Sequence, residues 1–418
     1  MRKLLLCVTM IFAILMTGCN NEAITIQDTQ DSKKSLEFII LEDEAVSAAT
    51  KFLNKGEYLE SRSTSNAKVE TIWRNIKLDG KQSRNASESD VTEVPIYVVS
   101  YTDENKEPNG YVVTVGDKRV IDRVLVFSDE GYWNLSGIPA FENMFWNNVD
   151  NFLTQTLSES DMDMCDTYEY EEQGSIEKFA VDRFLIWGPN ESPYNDSIPW
   201  CSSINSNMPA SAVEVALGQI LAHHEHPKSG TYIHPRYNRT VNTIYNWSSM
   251  KASSDARLLP STIGRSGIAN LLAEIGYRLN TEYGCDYSNP EMYKIYNMLR
   301  DLGYFSSNLT NFDFNKIVED IDAKRPVFMQ YTQYGWHEWV IEGYRQIVNN
   351  VIYGRDCPDE SLSIPPTIID YSVISNYLYF NLGLFGVSNG FYSLQTIESL
   401  PYPHAGSFRI IHNIQIKQ

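Results

Sequence analysis

Ser211 and Glu214 stand three residues apart at the head of an apolar run. That spacing is a capping box: the serine hydroxyl serves a free amide of the first turn, and the glutamate reaches back to the serine N–H. It predicts a helix starting at Ala212, with Val213, Ala216, Leu217, Ile220 and Leu221 as its buried stripe, His223 and His224 in its last turn and Pro227 as its stop. The first turn of a helix gathers unbonded amides and positive potential, so a thiol there loses its proton easily and becomes nucleophilic. The residue in that place is alanine. Ser211 is no substitute, because one step along a helix turns a side chain by about 100° and the cap already uses its hydroxyl. His223, His224, Glu225 and His226 are metal-ligand types, but neighbouring histidines on a helix also diverge by about 100°, so packing explains them better than a metal. Cys165, Cys201, Cys285 and Cys357 show no CxxC spacing, which argues against zinc. They could pair as disulfides in an exported protein, or be buried or free, and their spacing does not choose. Cys201 as a displaced nucleophile has no motif around it. No cofactor is implied.

These residues need elements to hold them. The 418 residues are 43% apolar and 21% charged, a globular composition, and the length suggests two folded units. A net charge of −19 makes a nucleic-acid partner improbable, since a phosphate backbone would repel it. The pattern Val46, Ala49, Phe52, Leu53 predicts an amphipathic helix within 36–53. Residues 54–93 are polar and ambiguous. Strand-like runs follow at Ile96 to Tyr101, Tyr111 to Val115 and Val120 to Phe127, joined through Pro108-Asn109-Gly110 and Gly116-Asp117, both suited to turns. A helix beside an antiparallel meander makes a small α+β domain over residues 36–152. From Glu159 to Glu177 there are eight carboxylates and no base, so 153–178 reads as an exposed acidic linker. Residues 179–418 form a second domain of mixed helix and strand.

The N-terminus is the clearest local signal. Arg2 and Lys3 precede an apolar run from Leu4 to Leu15, and Leu15-Met16-Thr17-Gly18-Cys19 follows. This resembles a bacterial lipoprotein signal, which implies removal of residues 1–18, lipid on Cys19 and a polar tether over 19–35. The expected location is the cell envelope, anchored by lipid to a membrane, with the outer membrane or surface favoured in a Gram-negative source because Asn20 is not the retention aspartate. Beyond this segment no apolar run reaches the ~20 residues of a membrane span.

The second domain resembles the streptopain-type cysteine peptidases, papain-like enzymes made with a Spi-type inhibitory prodomain. In that family the run Gly-Cys-Val-Ala-Thr-Ala-x-Ala-Gln-Ile-Met carries the nucleophile. Here Ser211-Ala212-Val213-Glu214-Val215-Ala216-Leu217-Gly218-Gln219-Ile220-Leu221, anchored on Gln219-Ile220, puts Ala212 at the nucleophile position. Trp187-Gly188-Pro189 leading to Pro193-Tyr194-Asn195 resembles Trp-x-Gln…Pro-Tyr-Asn, and Tyr245-Asn246-Trp247-Ser248-Ser249-Met250 resembles Tyr-Asp-Trp-x-x-Met. Tyr283, Gly284 and Ser288 look like a loop on the substrate side of the groove, to which Trp336 would also belong. Gly335-Trp336-His337-Glu338-Trp339-Val340-Ile341-Glu342-Gly343-Tyr344 is close to Gly-His-Ala-Phe-Val-Ile-Asp-Gly-Tyr. Upstream, Gly110-Tyr111-Val112-Val113 to Asp117-Lys118-Arg119 and Ser128-Asp129-Glu130-Gly131 resemble the prodomain.

The resemblance implies a papain-like α+β domain over 179–418 preceded by a Spi-like prodomain over 36–152, with 345–376 inserted between the histidine strand and the Asn381 strand. It also implies His337 as base, supported by Asn381. The departures fall on the chemistry. Ala212 removes the nucleophile, and Pro189 stands where a glutamine should donate to the oxyanion, with neither side-chain donor nor N–H. The supporting Asn-Trp-Gly-Trp-Gly-Gly reads Asn381-Leu382-Gly383-Leu384-Phe385-Gly386. Removing a nucleophile alone costs about 10⁶ in turnover in dissected serine proteases. Hydrolysis by the family mechanism is therefore not expected, and His337 and Asn381 are either vestigial or structural. The expected protein is an inactive homologue that keeps its groove for a peptide or protein ligand and its own prodomain as partner. The competing reading is an active cysteine endopeptidase zymogen, which requires Ala212 to be an introduced substitution or the nucleophile to have moved.

Overall fold

The computed structural model describes residues 38–54, 66–78, 91–160, 166–182, 184–332, 337–355, 369–398 and 407–417. Cys19, Cys165, Trp336, Cys357 and the whole of the 19–35 tether fall outside them, as do residues 356–368 of the expected insertion. Helix α1 (Glu42–Leu53) forms where the sequence spacing puts it, with three carboxylates in its first turn and Ala45, Ala49 and Leu53 buried. The meander follows as β2 (Val91–Thr102), β3 (Pro108–Val115) and β4 (Val124–Ser128), preceded by β1 (Ala67–Lys77) in the stretch whose polarity gave no reading. Strand β1 lies at the sheet edge and buries few residues, so its weak apolar pattern is physical. Gly110, at φ 96° inside β3, sits where the β2–β3 register shifts; a Cβ there would lie 2.6 Å from the Ser128 carbonyl oxygen.

Helix α2 (Pro139–Glu159) and strand β5 (Asp166–Phe179) overturn the linker reading of 153–178. The described parts of the acidic stretch are the end of a helix and a strand paired antiparallel with the distal part of β13 (His337–Arg355), Gly343 opposite Phe179 and Arg355 opposite Asp166. Backbone pairing needs no apolar side chain. Gln173 to Lys178 face solvent, and Arg345 comes within 3.5 Å of Glu177. The insertion over 345–376 is likewise not a loop through most of its length. Its described parts are the far ends of β13 and β14 (Ile369–Asn381), paired from Gly343–Tyr379 to Tyr353–Ile369.

Among the described residues, six short strands form three two-stranded ladders: β6 (Trp200–Cys201) with β7 (Ser206–Asn207), β8 (Ser229–Ile233) with β9 (Thr240–Ile244), and β10 (Tyr304–Phe305) with β17 (Gln415–Ile416). The main sheet runs β1-β2-β3-β4-β15-β14-β13-β12-β16-β11, where β11 is Thr310–Asn311, β12 Val327–Tyr331, β15 Gly390–Ser393 and β16 Phe408–Ile411. The meander and the second half thus share one sheet, sealed where Phe127 and Val126 of β4 pair with Phe391 and Tyr392 of β15. One face packs on α2 and on α5 (Phe314–Asp322); Phe141, Met144, Phe145, Trp339, Phe380 and Tyr392 meet there. The other face carries α1 over the meander end. Over β12, β13 and β16 it carries the buried helices α3 (Ala212–His224) and α4 (Thr262–Arg278). Among the described residues no helix is long and apolar enough to cross a membrane.

Candidate active site

Helix α3 starts at Ala212 and is closed by the complete capping box. Glu214 N donates to Ser211 Oγ at 3.1 Å, and Ser211 N donates to Glu214 Oε2 at 3.0 Å. Glu214 is fully buried, and its other oxygen accepts from Thr281 Oγ1 at 2.7 Å. Burial pushes its carboxyl up to about 7, against the lowering effect of the Thr281 and Ser211 bonds. Glycine at 276 lets the Tyr283 hydroxyl and Glu214 come together, since a Cβ there would meet both.

The expected groove residues gather around this helix start. Ser288 Oγ donates to the Pro209 carbonyl at 2.7 Å, and Ala210 N donates to the Pro189 carbonyl at 2.8 Å. Gly284 lies under the Tyr287 carbonyl, with no room for a Cβ. A disulfide joins Cys201 to Cys285, with Cα atoms 5.6 Å apart, and fixes this loop beside β6. The pairing that cysteine spacing left open is thereby settled for two of the four, and Cys201 is not a free thiol. Just beyond Ser288 opens a cleft of about 910 Å³, with Pro290, Met292 and Tyr293 on one side and Gln330, Thr332 and Arg409 on the other.

His337 and Asn381 do not join this cluster as a pair. Tyr331 is opposite His337 and Met329 opposite Trp339, so all four share the α2 face of the sheet. The His337 ring stacks on Trp339 at 5.9 Å and meets the edge of Phe141, from α2, at 6.1 Å. Burial pushes its imidazole down to about 4, partly offset by a hydrogen bond to the Leu382 backbone, and its Nε2 finds no partner among the described residues. Asn381 is opposite Val340, on the α3 face. Three residues from His337 is an odd step along a strand, so the two side chains leave the sheet on opposite sides. The expectation that Asn381 supports His337 is corrected accordingly, and α3 and the imidazole occupy different faces.

Asn381 instead ties α3 to the sheet. Its Nδ2 donates toward the Leu185 carbonyl at 2.7 Å, Gln219 Oε1 at 3.1 Å and Glu342 Oε1 at 3.1 Å. Glu342 is completely enclosed, and burial pushes its carboxyl up to about 8 despite the Asn381 bond. Glu342 has no assigned role in the sequence motifs; a carboxylate inside an apolar strand run is the one local signal that marks it. The turn after Asn381 keeps glycine at 383 and 386, both at positive φ, while Leu382 and Leu384 join the core on the α2 side. Phe385 N donates to the Trp187 carbonyl, and the Phe385 ring covers Gly188. The three histidines of the 223–226 stretch pack with Tyr304: His223 Nε2 lies 2.9 Å from the Lys324 carbonyl and its ring meets that of His224, His226 Nε2 lies 2.7 Å from the Leu302 carbonyl, and the rings of His224 and His226 both meet Tyr304.

Comparison with known proteins agrees with this architecture. The model of the Peptidase C10 family matches residues 187–392, and that of the Spi protease inhibitor matches residues 37–152. No curated protein matches. Among solved structures, a prointerpain A fragment from Prevotella intermedia, in a cysteine-to-alanine mutant form, superposes with a TM-score of 0.51 at 15% identity, covering 83% of this chain and 100% of its own. Active wild-type interpain A from the same organism gives a TM-score of 0.38 at 17% identity, over 56% of this chain and 94% of its own.

Proposed function

The chain belongs to the Peptidase C10 family and carries a Spi-type inhibitor segment ahead of the peptidase region, and on that premise we propose that it is a lipid-anchored, non-catalytic member that binds peptide in the cleft just beyond Ser288. The observation that carries this reading is the first turn of α3. Its first residue is alanine, and its serine and glutamate are committed to the cap. The only described cysteines close a disulfide, and Pro189 offers no donor to an oxyanion. Acyl transfer needs an activated nucleophile within hydrogen-bond reach of a base, and this arrangement supplies neither.

The test is a paired assay on the purified full chain and on an Ala212→Cys, Pro189→Gln double variant. The unaltered chain should bind peptide without hydrolysing it. Turnover by the unaltered chain would overturn the reading. The packing of His337 on Phe141 also suits a second reading, an enzyme whose base is held off by its inhibitor segment; turnover by the double variant only after residues 38–152 are removed would favour that ancestry. Anchoring rests on the match around Cys19 and has its own test, since a Cys19→Ser chain that still fractionates with membranes removes the lipid from the proposal.

A further inference from the structure

The β8–β9 hairpin ends in a six-residue loop, closed where His234 N donates to the Arg239 carbonyl at 2.8 Å. Arg236 and Arg239 both emerge from it. The Arg236 guanidinium lies over the rings of Trp200 at 5.8 Å and Tyr237 at 5.3 Å, and that of Arg239 lies over Tyr237 at 5.3 Å. His234 braces the same ring at 4.6 Å, and its Nδ1 accepts from Arg236 N. Trp200 and Tyr237 are about half exposed. Among the described residues neither guanidinium has a carboxylate partner, although the protein has 53 acidic residues against 34 basic ones.

Two like charges held against one ring repel each other, and a ring face is a weaker counter-charge than a carboxylate. In so acidic a protein this is an unusual place to leave cations unneutralised. The aromatic faces hold the guanidiniums in place while their N–H groups remain free to donate. We propose that this Arg-aromatic platform is a docking surface for an acidic peptide segment of a partner protein, whose carboxylates take the two guanidiniums while its apolar side chains lie on Trp200, Tyr237 and the exposed Ile233. The mixture favours a peptide over a phosphate or a glycan. Arginine, tryptophan and tyrosine are the side chains that concentrate binding energy at protein surfaces, and the flanking area is apolar. The platform lies outside the cleft, one residue from the Cys201–Cys285 bridge, and it does not depend on the cleft binding anything.

The test titrates the full chain with an alternating Glu/Leu octapeptide and with its Gln/Leu counterpart. The acidic peptide should bind, and its affinity should fall severalfold as salt shortens the screening length from about 10 Å at 0.1 M to about 3 Å at 1 M. An Arg236→Gln, Arg239→Gln double variant, altered at two exposed positions, should lose roughly two- to thirtyfold, the range for two exposed pairs at about 0.2–1 kcal/mol each. Equal binding of the two peptides, salt-independent binding, or an unchanged affinity in the double variant would overturn the proposal. So would arginine-dependent binding of a sulfated polysaccharide or anionic vesicles with none of the acidic peptide. The salt series uses the unaltered protein, so the outcome does not hang on the double variant folding.

Discussion

At the scale of single residues, Glu214 matters as much as Ala212. A helix start lowers a thiol pKa because its amides and positive potential favour the thiolate. Here the cap places a carboxyl in that first turn, and above about pH 7 it is charged. An Ala212→Cys thiol should therefore stay at or above the free value of about 8.5, read from the pH dependence of its alkylation rate. Adding Glu214→Ala should lower it, and a thiol already below 7 with Glu214 in place would contradict this electrostatic account. Glu342 makes a second prediction. Its folded pKa of about 8 is above the unfolded value of about 4.3, so the folded state holds a proton that the unfolded state releases. Stability attributable to this group must then fall as pH rises from about 4 to 8 and level off above. Glu338, pushed up to about 7, and Asp122, to about 6, act in the same direction. Glu342→Gln mimics the protonated form, keeping a side-chain oxygen for Asn381. Its midpoint of urea unfolding should decline less between pH 5 and 8 than that of the unaltered chain; parallel declines would place the dependence elsewhere.

At the scale of elements, sheet pairing decides what local sequence could not. Strand β5 looks like a linker by charge, yet its backbone is bonded to β13 along its length. A glutamate-specific protease should cut the native chain poorly at Glu171, Glu172 and Glu177, and cleavage there at the rate of the denatured chain would restore the linker. The contrast with α3 shows what was legible. Ser211 and Glu214 announce its cap within four residues, and its buried stripe follows at helical spacing. The meander is legible because its strands are apolar and its turns hold Gly and Asn. Strands β1, β5 and the distal part of β13 carry polar or charged side chains because each is an edge or has a face in solvent, so neither composition nor alternation marks them. The opposed orientations of His337 and Asn381 were equally out of reach. They follow from the pairing of Asn381 with Val340, and a shift of one residue would reverse them.

At the scale of the molecule, the inhibitor-like segment is part of the fold. Its strand β4 pairs with β15, its helix α2 supplies Phe141 to the core that encloses His337, and its helix α1 packs in one cluster with Ile347, Tyr377 and Phe391 from the second half. Cutting the chain after α2 would leave these contacts in place. Losing the segment would bare an edge of the sheet and parts of both its faces, exposing apolar area at roughly 25 cal/mol per Å². On the proposed non-catalytic reading, the chain does not cleave itself. The species extracted from its own cells should therefore retain residues 38–152, either covalently or, after a nick by another protease, as a fragment that co-purifies under native conditions and separates only in denaturant. Intact mass and N-terminal sequencing distinguish these outcomes. A dominant native species that begins near residue 179 and lacks the segment would mean that the second half holds its fold without β4 and α2, that the shared sheet is dispensable, and that the chain is matured as an active peptidase would be.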